Sequence, residues 1–328
     1  MGKLYLYIRN KRLCKLSYVQ IIFCIKVLYF NIRNRRIFIY EIIMERGMVM
    51  GKVVSFMNMK GGVGKTTLCL SLGYHLAKYE NKRVLFIDLD PQFNLTQSLL
   101  NEYNLTDSYL NNDFKNMDIC NIFTIDSPTL GEQAKIHSAD EIIYKLEGTN
   151  LHIIFGSIYL IKVSPSEGKK YRLKNFIEKN NLRREYDYIF IDCPPTISLY
   201  TSAALHCSDY YIVPNRVDRY SILGIKLLHD AINQEEVSSD RKLDIEPLGI
   251  IYTMMVKDPT DRAKQIMRDF EHDEIVQRMG LFEEQFYYLN HLVEGKQGNI
   301  ASKYESSKAN IKYISDNFIE RLKEHEKK

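Results

Sequence analysis

No two of the six cysteines (Cys14, Cys24, Cys69, Cys120, Cys193 and Cys207) are spaced C-x-x-C, so neither a dithiol redox motif nor a zinc motif is supported. Reduced thiols of a cytosolic chain are the expectation. No apolar run is long enough to span a bilayer; the longest, near the N-terminus, is broken by Gln20 and Lys26. No small-residue cleavage site follows it, which argues against a secretory signal. Internal repeats and long linkers are absent as well. Neither sign of charge dominates, with 45 Lys and Arg against 41 Asp and Glu. What is present is a chain of 328 residues, 45% hydrophobic and 26% charged, enough for one large α/β domain or two small ones.

The charge is unevenly placed. Residues 1–43 hold nine basic residues and one acid, Glu41, leaving 36 basic against 40 acidic residues in the rest. By composition the body is not a strongly basic nucleic-acid binder, so DNA contact would need a local patch. Three readings of residues 1–43 stand. The stretch is upstream DNA translated from an early start, with Met44, Met48 or Met50 the true one; or a basic amphipathic membrane-surface segment; or a DNA-binding arm. The first is favoured, because a strand and a glycine-rich loop begin almost directly after Met50. The expected division is therefore an extension over 1–43 and a single domain over 44–328.

From Lys52 onward, apolar strand-like runs alternate with helical patterns. "KVVSFMN", "RVLFIDLD", "YDYIFIDCPP", "DYYIVPN" and "PLGIIYTMM" read as buried strands, and "TTLCLSLGYHLAKY" has Leu68, Leu72 and Leu76 at helical spacing. The pattern predicts an α/β, doubly wound, mostly parallel sheet with helices on both faces. Residues 101–148 read as a surface excursion with short helices. The closing "NIKYISDNFIERLKEHEKK" reads as a helix packed through Ile314, Phe318 and Leu322 rather than as a membrane anchor.

The first strand runs into "KGGVGKTT". Gly61, Gly62 and Gly64 let the backbone wrap closely, with its N–H groups turned toward phosphate oxygens, and the following helix adds its positive end. In a phosphate-binding loop of this kind, Val63 and Thr67 also lie against the nucleotide. Lys65 is placed to reach the β- and γ-phosphates, and Thr66 to offer a hydroxyl to Mg²⁺. The usual pattern would put its first glycine at position 59, where Met59 stands beside a second lysine, Lys60. Asp192, at the end of "YIFID", is the candidate metal carboxylate of a second strand. Asp88 and Asp90 end "VLFIDLD", where paired carboxylates need a cation or ordered water. One could act through metal-bound water and the other orient the attacking water; alternatively they are N-caps of the next helix.

At these residues the sequence resembles the ParA/MinD family of deviant Walker A ATPases, and within it ParA-type partition proteins. The family loop K-G-G-x-G-K-[ST] is matched in full, and "VLFIDLDPQFNLTQSL" resembles the D-x-D-P-Q-x-N-x-T segment. "YDYIFIDCPPTISLYTSAALHCSDYYIVPNRVDRYSILGIKLL" is similar to the Walker B and switch region, and the likeness runs from residue 52 to about 325. The resemblance implies Mg²⁺-dependent ATP hydrolysis in a P-loop NTPase fold. It implies an ATP-sandwich homodimer in which Lys60 reaches the partner's phosphates, with Asp90 positioning the hydrolytic water and Asp88 near the metal. It also implies base contacts from Pro214, Thr253 and Met254. Its partners would be non-specific nucleoid DNA and a ParB-like centromere-binding protein, in the cytoplasm and without stable membrane insertion.

There are departures from the family. The stretch "FEEQFYYLNHLVEGKQG" lacks the arginine many members place there for DNA contact. Other cations available for DNA are Arg262, Lys264, Arg268, Lys303, Lys308 and Lys312. A MinD-like positioning ATPase and a low-turnover nucleotide switch are the competing readings. An iron–sulfur reductase is disfavoured for want of a suitable cysteine arrangement.

Overall fold

Short apolar runs that end in a carboxylate become the middle strands of one sheet. The computed structural model describes the strands at 5–8 and 12–15 and residues 50–111, 113–114, 116–124, 137–288, 290, 292 and 298–327. The chain divides into two units, Met1–Met50 and Gly51–Lys328. In the first, β1 (Tyr5–Ile8) pairs antiparallel with β2 (Arg12–Lys15), Tyr5 opposite Lys15. The rest of residues 1–43, on which the membrane-surface and DNA-arm readings bear, lies outside the described residues.

The second unit is built on an eight-stranded sheet. Its strands are β3 (Lys52–Phe56), β4 (Val84–Asp88), β5 (Tyr144–Lys145), β6 (Leu151–Ile154), β7 (Tyr188–Asp192), β8 (Tyr210–Arg216), β9 (Glu246–Met255) and β10 (Phe286–Tyr287). The order is β10-β9-β8-β3-β7-β4-β6-β5, and every pairing is parallel except β5 with β6. From β3 the chain winds toward one edge through β4 and β6. It returns to β7 and then fills the other edge. The expected doubly wound α/β architecture is present, and its switch point lies at β3, where such sheets bind ligands.

Helices cover both faces: α1 (Lys65–Tyr79), α2 (Asn94–Glu102), α3 (Arg172–Lys179), α4 (Leu199–Cys207), α5 (Ser221–Ser239), α6 (Asp261–Glu271), α7 (Glu274–Met279) and α8 (Glu305–His325). Successive strand residues point to opposite faces, and the core splits accordingly. Val53, Leu85, Ile87, Ile189 and Ile191 pack with α3, α4 and α5. Val54, Phe56, Phe86 and Phe190 pack with α1, α2 and α8. The closing helix α8 buries Ile314, Phe318 and Leu322 as expected, and Phe318 meets the rings of Tyr188 and Phe190 edge-on.

Two local expectations change. The segment 101–148 does contain short helical turns, yet Ile119, Ile122 and Phe123 from it are buried in the core. The helix after β4 begins at Asn94, behind Phe93 in a left-handed conformation (φ 42°), so Asp90 is not its N-cap.

Candidate nucleotide site

The carboxyl ends of β3, β4 and β7 lie side by side, and each brings part of the site. After β3 the chain turns through Gly62 (φ 70°) and Gly64 (φ 80°), left-handed conformations that favour glycine. Gly64 is the residue from which α1 departs, and the first turn of α1 carries no acid to oppose an anion. The loop is held from behind. Asn58, fully buried, donates from Nδ2 to the Pro214 carbonyl (2.9 Å) and accepts from the Lys60 N–H (3.0 Å). Thr253 donates its hydroxyl to the Val63 carbonyl (2.6 Å). On α5, Gly224 sits so close that a Cβ there would stand 2.3 Å from Asn58 Oδ1.

The two lysines are placed differently. Lys65 is 6% exposed and donates from Nζ to the Lys60 carbonyl (3.1 Å), folded over the loop. Burial pulls its pKa down, while Asp192 and Asp90 pull it up. Lys60 instead reaches sideways and pairs with Asp218 at the end of β8. Burial pushes the Asp218 carboxyl up, but the hydrogen bond from Lys60 and that from the Tyr220 N–H leave it below its ordinary value.

Asp88 and Asp192 are register partners on adjacent strands, both fully buried. Asp192 accepts the Thr66 hydroxyl on Oδ2 (2.7 Å), whereas its Oδ1 is buried without a partner among the described residues. Burial first, then the neighbouring Asp88, push its pKa well above the carboxylate range. Asp88 is braced by protein donors: Oδ2 accepts from the Thr96 N–H (2.9 Å) and hydroxyl (2.8 Å), and Oδ1 from the Asp90 N–H (3.2 Å). Burial still raises it to about 7. Asp90 faces the cavity and accepts the Gln92 N–H (2.9 Å).

An orphaned buried carboxylate oxygen beside a hydroxyl, with like charges around it, is a set of hard oxygen donors short of one cation. That fits Mg²⁺, which takes few protein ligands and fills its shell with phosphate oxygens and water. Among the described residues no group of three or more His, Cys, Asp and Glu could hold a metal by itself. Thr66 and Asp192 would touch the ion, with Asp88 behind them.

In front of the loop opens a cavity of about 610 Å³. Gly61, Gly62, Val63, Gly64, Lys65, Thr66 and Thr67 form its floor, and Asp90, Pro195 and Met254 its sides. Of the three residues expected at the base, Met254 reaches the cavity, with a left-handed backbone (φ 55°) at the end of β9. Pro214 and Thr253 are buried behind the loop and spend their polar atoms on it. Three residues that position the loop, Asn58, Asp218 and Gly224, were not singled out from sequence. Nor was a polar wall from α2, whose only sequence signal is the spacing of Asn94, Gln97, Ser98 and Asn101.

Comparison with known proteins bears on the family and the fold. A family described as AAA domain matches residues 51–245. The sporulation initiation inhibitor protein Soj of Bacillus subtilis (strain 168) is 33% identical over 212 residues, 63% of this chain and 74% of that protein. The chromosome partitioning protein ParA of Myxococcus xanthus (strain DK1622) is 29% identical over 216 residues, 64% of this chain and 68% of that protein. Among solved structures, a Borrelia burgdorferi B31 protein ascribed to plasmid partition and bound to AMPPNP has a TM-score of 0.61 at 23% identity. It covers 84% of this chain and 99% of its own, a likeness of fold.

Proposed function

The chain belongs to the ParA/MinD family of ATPases, and from that premise we propose that it is an ATP-hydrolysing partition protein. Its ATP-bound form is a homodimer that binds nucleoid DNA without sequence preference, and a ParB-like partner stimulates hydrolysis and release. The observation that carries this reading is the meeting of buried Lys65, Thr66 and the half-satisfied Asp192 at a glycine loop that also presents Lys60.

Each residue has a role under this reading. Gly61 to Thr67 wrap the phosphates with backbone N–H groups. Lys65 neutralises the β- and γ-phosphates. Thr66 and Asp192 hold Mg²⁺, which when bound offsets the charge of the phosphate oxygens. Asp88, near the metal, holds α2 and the Asp90 turn in place through its bonds to Thr96 and the Asp90 N–H. Asp90, at the cavity wall, orients the attacking water. Lys60 leaves Asp218 and crosses to the partner's phosphates, where a cation supplied in trans stabilises the transferred charge.

Support for DNA as the partner, rather than a membrane, comes from α8. Its apolar residues are committed to the core, while Lys308 and Lys312 are exposed one helical turn apart. No helix among the described residues is long and apolar enough to cross a membrane.

The test is duplex-DNA binding by the full chain with ATP, ADP or no nucleotide over a salt series. Binding confined to ATP, indifferent to sequence and weakening steeply with salt is expected. Lys308→Ala/Lys312→Ala should reduce the log–log salt slope by about 2, at roughly 0.9 for each phosphate no longer neutralised. Binding to anionic vesicles with no DNA binding in any state would transfer the reading to a membrane-positioning ATPase. ATP binding without turnover would make the protein a nucleotide switch.

A further inference from the structure

The large unit holds a second cavity, of about 420 Å³, at the opposite end of the sheet from the phosphate loop. Its walls are Tyr74, Ala77 and Lys78 from the last turns of α1, Tyr103 at the end of α2, and Asn81 facing the turn that enters β6. That is the end where β4 and β6 begin, Val84 opposite Leu151, whereas Asp88 closes β4 at the nucleotide site. Along α1, Lys65 and Lys78 are about 20 Å apart, at roughly 1.5 Å per residue. No residue lines both cavities.

This lining holds unused donors. Tyr74 is 9% exposed, and its hydroxyl has no hydrogen-bond partner among the described residues. The Tyr103 hydroxyl has none there either, and Lys78 is exposed and enters no ion pair among them. The three groups are neighbours. Tyr74 and Lys78 stand one helical turn apart, and Tyr103 is close enough to feel Tyr74. Burial pushes both phenols up, so both remain O–H donors near neutral pH. The turn beside them is fixed: Asn150 donates from Nδ2 to Asn81 Oδ1 (2.7 Å), and the Thr149 hydroxyl donates to the Leu146 carbonyl (2.8 Å). No acid lines the cavity. Glu102, whose charge reaches both phenols, is paired with Lys303 (2.5 and 2.7 Å).

We propose that this cavity is a second ligand site, separate from the nucleotide site, which takes a small phosphorylated molecule through Lys78, Tyr74 and Tyr103. An ammonium and two hydroxyls form a set of donors with one positive charge and no acid to oppose an anion. A phosphate monoester has three terminal oxygens for three donors, one more than a carboxylate offers. Charge-assisted bonds from Lys78 would supply most of the affinity. The volume lies within the range of about 300–1,000 Å³ found for small-molecule sites, which leaves room for the group that carries the phosphate.

The test uses the full chain saturated with Mg²⁺ and AMPPNP, so that the phosphate loop is filled. Inorganic phosphate is titrated by calorimetry, against sodium chloride at matched ionic strength. One saturable phosphate site is expected. At saturation, acylation of Lys78, followed by mass spectrometry, should slow while that of exposed Lys162 does not. Lys78→Ala and Tyr74→Phe/Tyr103→Phe should each bind phosphate about tenfold or more weakly, as loss of a charge-assisted hydrogen bond would cause. Both should bind AMPPNP as the parent chain does. Lys78 is exposed, so its variant keeps the fold, which an unchanged melting temperature without phosphate checks. No saturable phosphate binding by the AMPPNP-filled chain, or binding that both variants retain in full, would overturn the site. A chain that fails to bind AMPPNP would overturn the ATPase reading instead, while Lys78 protection and the two variants would still decide the second cavity.

Discussion

Two lysines of one loop are given opposite surroundings. Lys65 is buried against the backbone of its own loop, so its charge has little to do but meet an anion arriving in the cavity. Lys60 is held outside by Asp218, and its side chain is 25% exposed. The pair is half-buried and partly screened by solvent, so it contributes modestly to the fold, and breaking it is a small barrier to moving Lys60 elsewhere. The two residues should therefore separate in mutants. Lys65→Ala should weaken ATP binding about ten- to hundredfold, the loss of a charge-assisted hydrogen bond in a buried site. Lys60→Ala should bind ATP nearly as well as the parent chain yet fail to dimerise with it. Calorimetry and sedimentation velocity with ATP check the pair; a Lys60→Ala protein that still dimerises removes the crossing role.

At the scale of elements, the close approach of α1 to the sheet decides where the phosphate loop stands. Gly73 makes that approach possible: a Cβ there would lie 2.4 Å from the Phe86 ring and 3.2 Å from that of Phe190. Both rings are fully buried and have no room to withdraw. Gly73→Ala gains about 1 kcal/mol of helix propensity but overpacks the core by about 1–3 kcal/mol. A net loss of up to about 2 kcal/mol is expected, read as a lower melting temperature, with weaker ATP binding if α1 lifts from the sheet. The same elements show what could be read beforehand. β4 and β7 were legible because buried parallel strands are continuous apolar runs, and both end on the aspartates that form the site. The glycine loop was legible because its spacing is dictated by phosphate wrapping. The α2 wall was not, because amides at helical spacing look like an ordinary solvated face until the fold sets a cavity beside them. Pro214 and Thr253 were placed at the base by resemblance, but their polar atoms brace the loop from β8 and β9. Strand order alone decides which side of the loop they occupy.

Across the whole molecule, the first and last described elements of the large unit share one core. Phe318 of α8 packs on β7, and Lys52 of β3 pairs with Glu326 (2.8 Å). Local ionisation is therefore felt as global stability. Three histidines on separate elements, His75, His152 and His206, all have lowered pKa values, in each case first through burial. His152 falls to about 4, with Lys145 and Arg83 adding to the effect, and its Nδ1 meets the Tyr186 hydroxyl (2.8 Å). In the unfolded chain it takes up a proton near its ordinary value of 6.5; in the folded chain it stays neutral until about pH 4. Between these values the unfolded state binds more protons, so this residue's contribution is fully present above 6.5 and is lost as pH falls toward 4. Asp88 acts oppositely: its raised pKa makes the folded state less unfavourable as pH falls below about 7. Total stability therefore mixes two signs, and the informative quantity is a difference between proteins. His152→Gln removes the titration while keeping a partner for Tyr186. Its melting temperature relative to the parent chain should be flat above pH 6.5 and climb steadily from there down to pH 4. A constant offset across that interval would mean that His152 ionises alike in the folded and unfolded chains.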